Sequence, residues 1–148
     1  MNTLVIGVGN EWRGDDAIGL IVARHIRELN LPQVEVMECD GEGTRLMECW
    51  KAAQCVILID AVCSGAMPGA IHRFVVHEEP LSANLFPTST HAFGVAEAIE
   101  LSKALGHLPP RFVVFGIEGR DFAIGAKCTE SVKSAIAETI RLVQQQIQ

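Results

Sequence analysis

The run TLVIGVGNEWRGDDAIG, residues 3–19, decides how the rest of the chain is read. Its first six residues, TLVIGV, are short, apolar and β-branched, the pattern of a strand covered on both faces. A Gly-rich turn follows, and from Ala17 to about Leu29 the residues Ile18, Ile21, Val22, Ile26 and Leu29 recur at helical spacing. A buried strand that turns through glycines into an amphipathic helix is how a parallel α/β sheet begins. Such turns commonly hold a phosphate at the helix N-terminus. This one places Asp15 and Asp16 there instead, so its charge is wrong for an anion.

The alternation continues outward from that unit. VEVMEC (34–39) reads as a second strand, and the turn DGEGT (40–44) leads to a helix carrying Leu46, Met47 and Trp50. QCVILID (54–60) is a third strand, expected to be central and to stop at Asp60. AIHRFVV is of mixed character and is expected near a sheet edge. The long segment 77–90 contains two prolines, and a loop of that length in a compact domain is often functional. A helix is expected from near His91 to about Leu105, stopped by Gly106 and Pro109-Pro110, and RFVVFGIE from Arg111 supplies a fifth strand. Val132, Ile136, Ile140, Val143 and Ile147 stripe one last helix with Thr129 at its N-cap, its glutamine-rich end expected to fray. Five strands alternating with helices predict a three-layer α/β/α sandwich around a mostly parallel twisted sheet. The 148 residues are the length of one domain, 1–148.

Composition narrows the partners. The formal net charge is −6, no Lys/Arg cluster is present, and the aromatic set is two Trp, six Phe and no Tyr, so nucleic acid is a poor match. Five cysteines (Cys39, Cys49, Cys55, Cys63, Cys128) occur without a CxxC spacing and without a secretory leader ahead of the first strand. That usage predicts reduced thiols and a cytoplasmic protein. No apolar run approaches the roughly 20 residues of a membrane span.

In open α/β sheets, ligands bind beyond the carboxyl ends of the strands where strand order reverses. If the first strand lies between the second and third, residues 10–16 and Asp60 meet at that crevice. Acidic residues in a first helical turn stabilise the helix by about 0.3–1 kcal/mol through its dipole, and one carboxylate suffices for that. Two adjacent carboxylates repel, which assigns Asp15 to the cap and Asp16 to the crevice. Asp60 reads as either a turn former or a ligand, and His91 as a capping or packing residue or as the third donor. His25, His72, His77 and His107 read as surface residues. Asp16, Asp60 and His91 together form an O, O, N set suited to a borderline divalent metal and too sparse for a closed structural site.

Two other readings compete. Gly7 and Gly9 after a strand, with Asp40 closing the second strand, imitate a dinucleotide fingerprint. The third glycine of that fingerprint is due at Trp12, Gly14 comes two residues late, and the two aspartates oppose a pyrophosphate. A thiol nucleophile at Cys63, served by His91, is the other option, although free cysteines without local context are common.

Taken together, GVGN-x4-DD-x2-G (Gly7 to Gly19), DGEGT (40–44), the strand ending IDA at Asp60 and STHAFGV around His91 resemble, in order, the motifs of the hydrogenase maturation proteases. These endopeptidases trim the large-subunit precursor of nickel-iron hydrogenases. The resemblance implies a five-stranded, mostly parallel sheet with helices on both sides. It also places the family's metal-contacting residues on Asp16, Asp60 and His91, the first at a position where members carry either Glu or Asp, so that Asp16 is the shorter of the two accepted ligands. The family's second motif is often DGGT, which Glu42 lengthens here by one residue, and residues 62–88 match weakly. By the same resemblance the enzyme holds no permanent metal. It reads nickel already inserted in the precursor and then removes a short C-terminal extension, a check on maturation before an irreversible cut. A nickel-sensing chaperone that binds the precursor without cutting it is the competing expectation.

Overall fold

The computed structural model describes residues 2–86 and 91–147. Among these, β1 (Thr3–Val8), β2 (Val34–Cys39), β3 (Cys55–Val62), β4 (Ile71–Val75) and β5 (Arg111–Glu118) form one sheet in the order β2-β1-β3-β5-β4. The first three and β5 run parallel, while β4 is antiparallel to β5 at the edge. Helices α1 (Ile18–Glu28), α2 (Gly43–Trp50), α3 (Val95–Leu105), α4 (Glu130–Lys133) and α5 (Ile136–Ile147) cover the two faces. The chain is the three-layer α/β sandwich that its alternating pattern predicts.

Strand parity builds the two cores. Leu4, Ile6 and Val8 of β1 and Val56, Leu58 and Val62 of β3 pack with Leu46 and Trp50 of α2 and Ile99 of α3. Val5, Ile57, Ile59 and Ala61 face the other way, onto Ile18, Val22 and Ile26 of α1 and Val143 of α5. All eight β3 residues are buried, because side chains alternate across a sheet that is covered on both sides. The same parity places Asp60 in the row of Leu58 and Val62, on the α2–α3 side. Trp50 fills that layer edge-on to Phe112, ring centroids 4.9 Å apart, and its indole N–H donates to the buried Ser102 hydroxyl at 3.1 Å.

The helix that follows β1 lies unusually close to the sheet. A β-carbon on Gly7 would overlap the Gly19 carbonyl oxygen, and one on Gly19 would overlap the Val8 and Ile59 carbonyl oxygens. Only glycines at both positions let α1 start directly over β1 and β3, which brings the turn before it to the strand ends.

Several expected boundaries shift. Strand β3 continues two residues past Asp60 to Val62, since β5 still offers register partners there: Asp60 opposite Gly116, Ala61 opposite Ile117, Val62 opposite Glu118. Helix α3 starts at Val95 rather than near His91; its N-cap is Gly94, whose N–H donates to the Glu97 carboxylate at 2.9 Å. The last helix divides into α4 and α5 around Ser134 and Ala135. Its glutamine-rich end stays helical through Ile147, and Gln146 accepts from Arg73 on the edge strand. No helix among the described residues is long and apolar enough to cross a membrane.

Candidate functional site

The chain leaves β1 through α1 toward β2 and returns through α2 to β3 on the opposite side of β1, so strand order reverses between β1 and β3. At their carboxyl ends lies a cavity of about 490 Å³ whose lining includes Asp16, Asp60, Asp40, His91, Trp12 and Glu97. Carboxylates dominate its polar surface, and the crevice argument from sequence finds its residues there.

Asp16 belongs to a 3-10 turn, Gly14–Ala17, that precedes α1. It is 8% exposed, and its Oδ2 accepts the Asn10 N–H at 3.0 Å, folding the loop after β1 back over the strand end. Asp60 is 6% exposed, with Oδ1 accepting the N–H of its own neighbour Ala61 at 2.8 Å. Burial pushes the Asp60 carboxyl well above the usual carboxylate range, the negative charge of Asp16 pushes it further, and the Ala61 N–H offsets only part of this. Two carboxylates in one low-dielectric crevice cannot both stay ionised cheaply. Asp60 is therefore driven toward its protonated form beside the Asp16 carboxylate.

His91 enters the same cavity from the segment before α3, with Nε2 3.6 Å from Oδ2 of Asp40. Sequence reasoning treated Asp40 only as a turn residue or a ribose ligand. Its Oδ1 accepts the Glu42 N–H at 3.0 Å, the Asx turn that the pattern DGEGT signals, which leaves Oδ2 directed to the histidine. The additional residue Glu42 is absorbed as the N-cap of α2, accepting from the Thr44 and Arg45 N–H groups at 3.0 and 2.8 Å. A Gly43 N–H to Phe93 carbonyl bond of 2.8 Å then fastens this turn to the histidine segment. Ser89 and Thr90 of the STHAFGV motif lie outside the described residues.

Asp16 and Asp60 are thus electrostatically coupled in one cavity, and His91 borders that cavity facing Asp40. Among the described residues no group of three or more His, Cys, Asp or Glu side chains stands close enough to hold a metal ion. The arrangement is a carboxyl pushed toward its protonated form, Asp60, with Asp16 and the His91 imidazole lining the same cavity. The carboxylate that a dinucleotide site would direct at a ribose is engaged instead with His91 and the Glu42 N–H. Two of the thiols are poor nucleophiles, Cys39 being pushed up to about 12 by burial and then by Cys49 and Cys128 up to about 11 by burial and then by Asp15, while Cys63 is exposed on the loop after β3.

Asp15 does something the sequence did not reveal. It does not cap its own helix. It is fully buried and accepts the N–H groups of Arg120, Asp121 and Thr129 at 2.7, 3.0 and 2.7 Å, together with the Thr129 hydroxyl at 2.9 Å. Burial alone would raise its pKa, but these donors together lower it. Thr129 is the N-cap residue of α4, as expected, yet its hydroxyl serves Asp15 rather than the helix. His72 is likewise not a plain surface residue: its Nε2 lies 3.1 Å from buried Glu118, which also accepts the Ser64 N–H and hydroxyl at 2.8 and 2.6 Å. That cluster ties the β3–β4 loop to the end of β5.

A family model described as hydrogenase maturation protease matches residues 21–146. A putative hydrogenase maturation protease of Methanocaldococcus jannaschii is 30% identical over 146 residues, covering 95% of this chain and 92% of that protein. The hydrogenase expression/formation protein HupD of Rhodobacter capsulatus is 26% identical over 145 residues, covering 93% of this chain and 69% of its own length. In three dimensions, an endopeptidase from Escherichia coli superposes with a TM-score of 0.86 at 24% identity, covering 99% of this chain and 92% of that one. The chain belongs to the hydrogenase maturation protease family, and its activity class is that of a maturation peptidase.

Proposed function

We propose that this protein is the cytoplasmic endopeptidase that removes the C-terminal extension of a nickel-iron hydrogenase large-subunit precursor, and that it does so once nickel has been inserted. Asp16, Asp60 and His91 are the residues that meet the nickel, which arrives as part of the substrate. The observation that carries this reading is the coupled pair Asp16 and Asp60: one cavity holds both, and Asp60 has a raised affinity for a proton. A precursor without metal brings no charge to offset the pair. A nickel-loaded precursor supplies a divalent cation, displaces the proton and gains the attraction of both carboxylates.

Cleavage follows from the same charges. The docked metal acts as a Lewis acid on the scissile carbonyl or lowers the pKa of a bound water, and a carboxylate takes the proton as the water oxygen attacks. The C–N bond then breaks, with the proton passing to the departing amine. His91, held toward the cavity by Asp40, completes the coordination of the substrate-borne metal.

The test is to incubate the protein with purified precursor, with and without nickel, and to weigh the large subunit. Nickel-dependent loss of a C-terminal peptide is the expected result. Complex formation with no change of mass would make the protein a nickel-sensing chaperone. Equal cleavage of nickel-free precursor would remove metal reading from the mechanism.

A further inference from the structure

Among the described residues, the three most exposed large apolar side chains are Trp12, Met67 and Ile124, at 70, 79 and 80%. All three sit on loops that follow the carboxyl ends of β1, β3 and β5, the end of the sheet that carries the cavity. The other exposed large apolar residues (Leu29, Leu101, Leu105) lie in or beside helices and are less exposed.

Trp12 and Ile124 are held in register with each other. The Gly125 N–H donates to the Trp12 carbonyl at 2.8 Å, the Gly14 N–H to Ala126 at 3.1 Å and the Asp15 N–H to Asp121 at 2.8 Å. The Arg13 guanidinium adds a bond to the Phe122 carbonyl at 3.3 Å. Gly14 has φ +58°, and a β-carbon there would overlap the Asp121 carbonyl oxygen, so the two loops approach as closely as backbone permits. Buried Asp15 fixes the far strand of the same loop from Arg120 to Thr129. A buried carboxylate and a glycine contact therefore hold together the two loops that carry the exposed Trp12 and Ile124. Trp12 also lines the cavity that contains Asp16 and Asp60, so the joined loops border the site.

We infer that Trp12 and Ile124 form a preorganised shelf on which the precursor seats an apolar stretch of its polypeptide next to the segment entering the cavity. This rests on the proposed endopeptidase reading. Rigid aromatic and branched side chains beside a polar pocket are the usual anchors of an interface, because little entropy remains to be lost on binding. The shelf supplies affinity for the polypeptide, and the carboxylates supply discrimination by charge. Substrate binding and metal reading are thereby carried by different residues of adjoining loops.

Steady-state processing of nickel-loaded precursor separates the two. The double variant Trp12→Ala/Ile124→Ser is expected to raise KM by roughly tenfold or more while kcat stays within about twofold, the signature of lost uniform binding. Ile124→Ser alone, at an 80% exposed loop position, is expected to raise KM about threefold. Leu105→Ser, which removes an exposed leucine at the end of α3, is the control and leaves KM unchanged. Unaltered KM in both shelf variants overturns the shelf while leaving the peptidase intact, as does an equal rise in the Leu105 control. Failure of the wild-type protein to cleave at all counts instead against the endopeptidase reading.

Discussion

Asp15 and Asp60 are both buried aspartates at the same end of the sheet, and their proton affinities move in opposite directions. Asp15 is surrounded by three backbone N–H groups and a hydroxyl, all aimed at its two oxygens. Asp60 accepts the Ala61 N–H and faces the charge of Asp16. Burial raises both, but at Asp15 the converging donors outweigh it, while at Asp60 the charge of Asp16 adds to it and one donor offsets only part. An anion whose lone pairs are saturated by the protein is a fixed structural part. One that burial and a second anion push toward its protonated form is, on the proposed function, the receptor for the substrate's cation.

The largest expected effect lies on the receptor side. Asp16→Asn, Asp60→Asn and His91→Ala are each expected to reduce processing of nickel-loaded precursor by roughly 10²–10⁴-fold with the fold retained. Near-normal turnover by the His91 variant would remove it from the site. At a pH high enough to ionise Asp60, Asp60→Asn is also expected to stabilise the protein by roughly 1 kcal/mol, or about 2–4 °C in Tm, because the neutral amide keeps an acceptor for Ala61 and avoids the repulsion by Asp16. Activity and stability then change in opposite senses at one residue.

Asp15→Asn reverses that pattern. The amide cannot accept from all the donors that converge on the carboxylate, and an NH₂ group is forced against N–H partners. A loss of about 2–3 kcal/mol is expected, on the order of 5–10 °C in a thermal melt. If Asp15→Asn proves neutral, the donor network is not what holds the β5–α4 loop.

The pH dependence sharpens the contrast. Asp15 has a lowered pKa in the folded state, so its stabilisation is present above the unfolded carboxylate pKa and is lost as pH falls through the folded value. Asp60 has a raised pKa, so its folded form is favoured while protonated, and that advantage is lost as pH rises through the folded value. Melting wild type and variants from about pH 2 to 8 should show the Asp60→Asn advantage growing with pH. The Asp15→Asn penalty should be largest near neutrality and shrink toward the acid end. Parallel curves for both variants would mean that the two carboxylates are not in opposite states.

What could be read in the sequence follows the range over which each signal acts. The apolar runs of β1, β3 and β5 and the stripe of α1 are local and decided the fold. The reversal of strand order, which brings Asp16 and Asp60 to one cavity, follows from that fold by general topology. Asp60 was misread as a strand end because aspartate is disfavoured in strands, whereas pairing with β5 keeps the chain extended to Val62. The role of Asp15 was invisible because its donors lie at residues 120, 121 and 129, on the far side of the sequence. The pairing of Asp40 with His91 has the same origin, two turns joined through Gly43 and Phe93.

The smallest expected effect tests the anchor most closely. Thr129 stands at the N-cap of α4, where a threonine normally offers its hydroxyl oxygen to a helix N–H, but no such bond is present and its hydroxyl donates to Asp15. Thr129→Ala removes that one donor and leaves the Thr129 backbone N–H in place, so a loss of about 1 kcal/mol is expected. A capping role and an anchoring role predict the same single-variant loss, and they part in a double-mutant cycle. If the hydroxyl acts through Asp15, its loss should cost almost nothing in the Asp15→Asn background, giving a coupling energy close to the whole single effect. If it acts as a cap, the cost persists unchanged when the carboxylate is gone. The coupled outcome makes Thr129 part of the fixed anion site, and the additive one returns it to the helix.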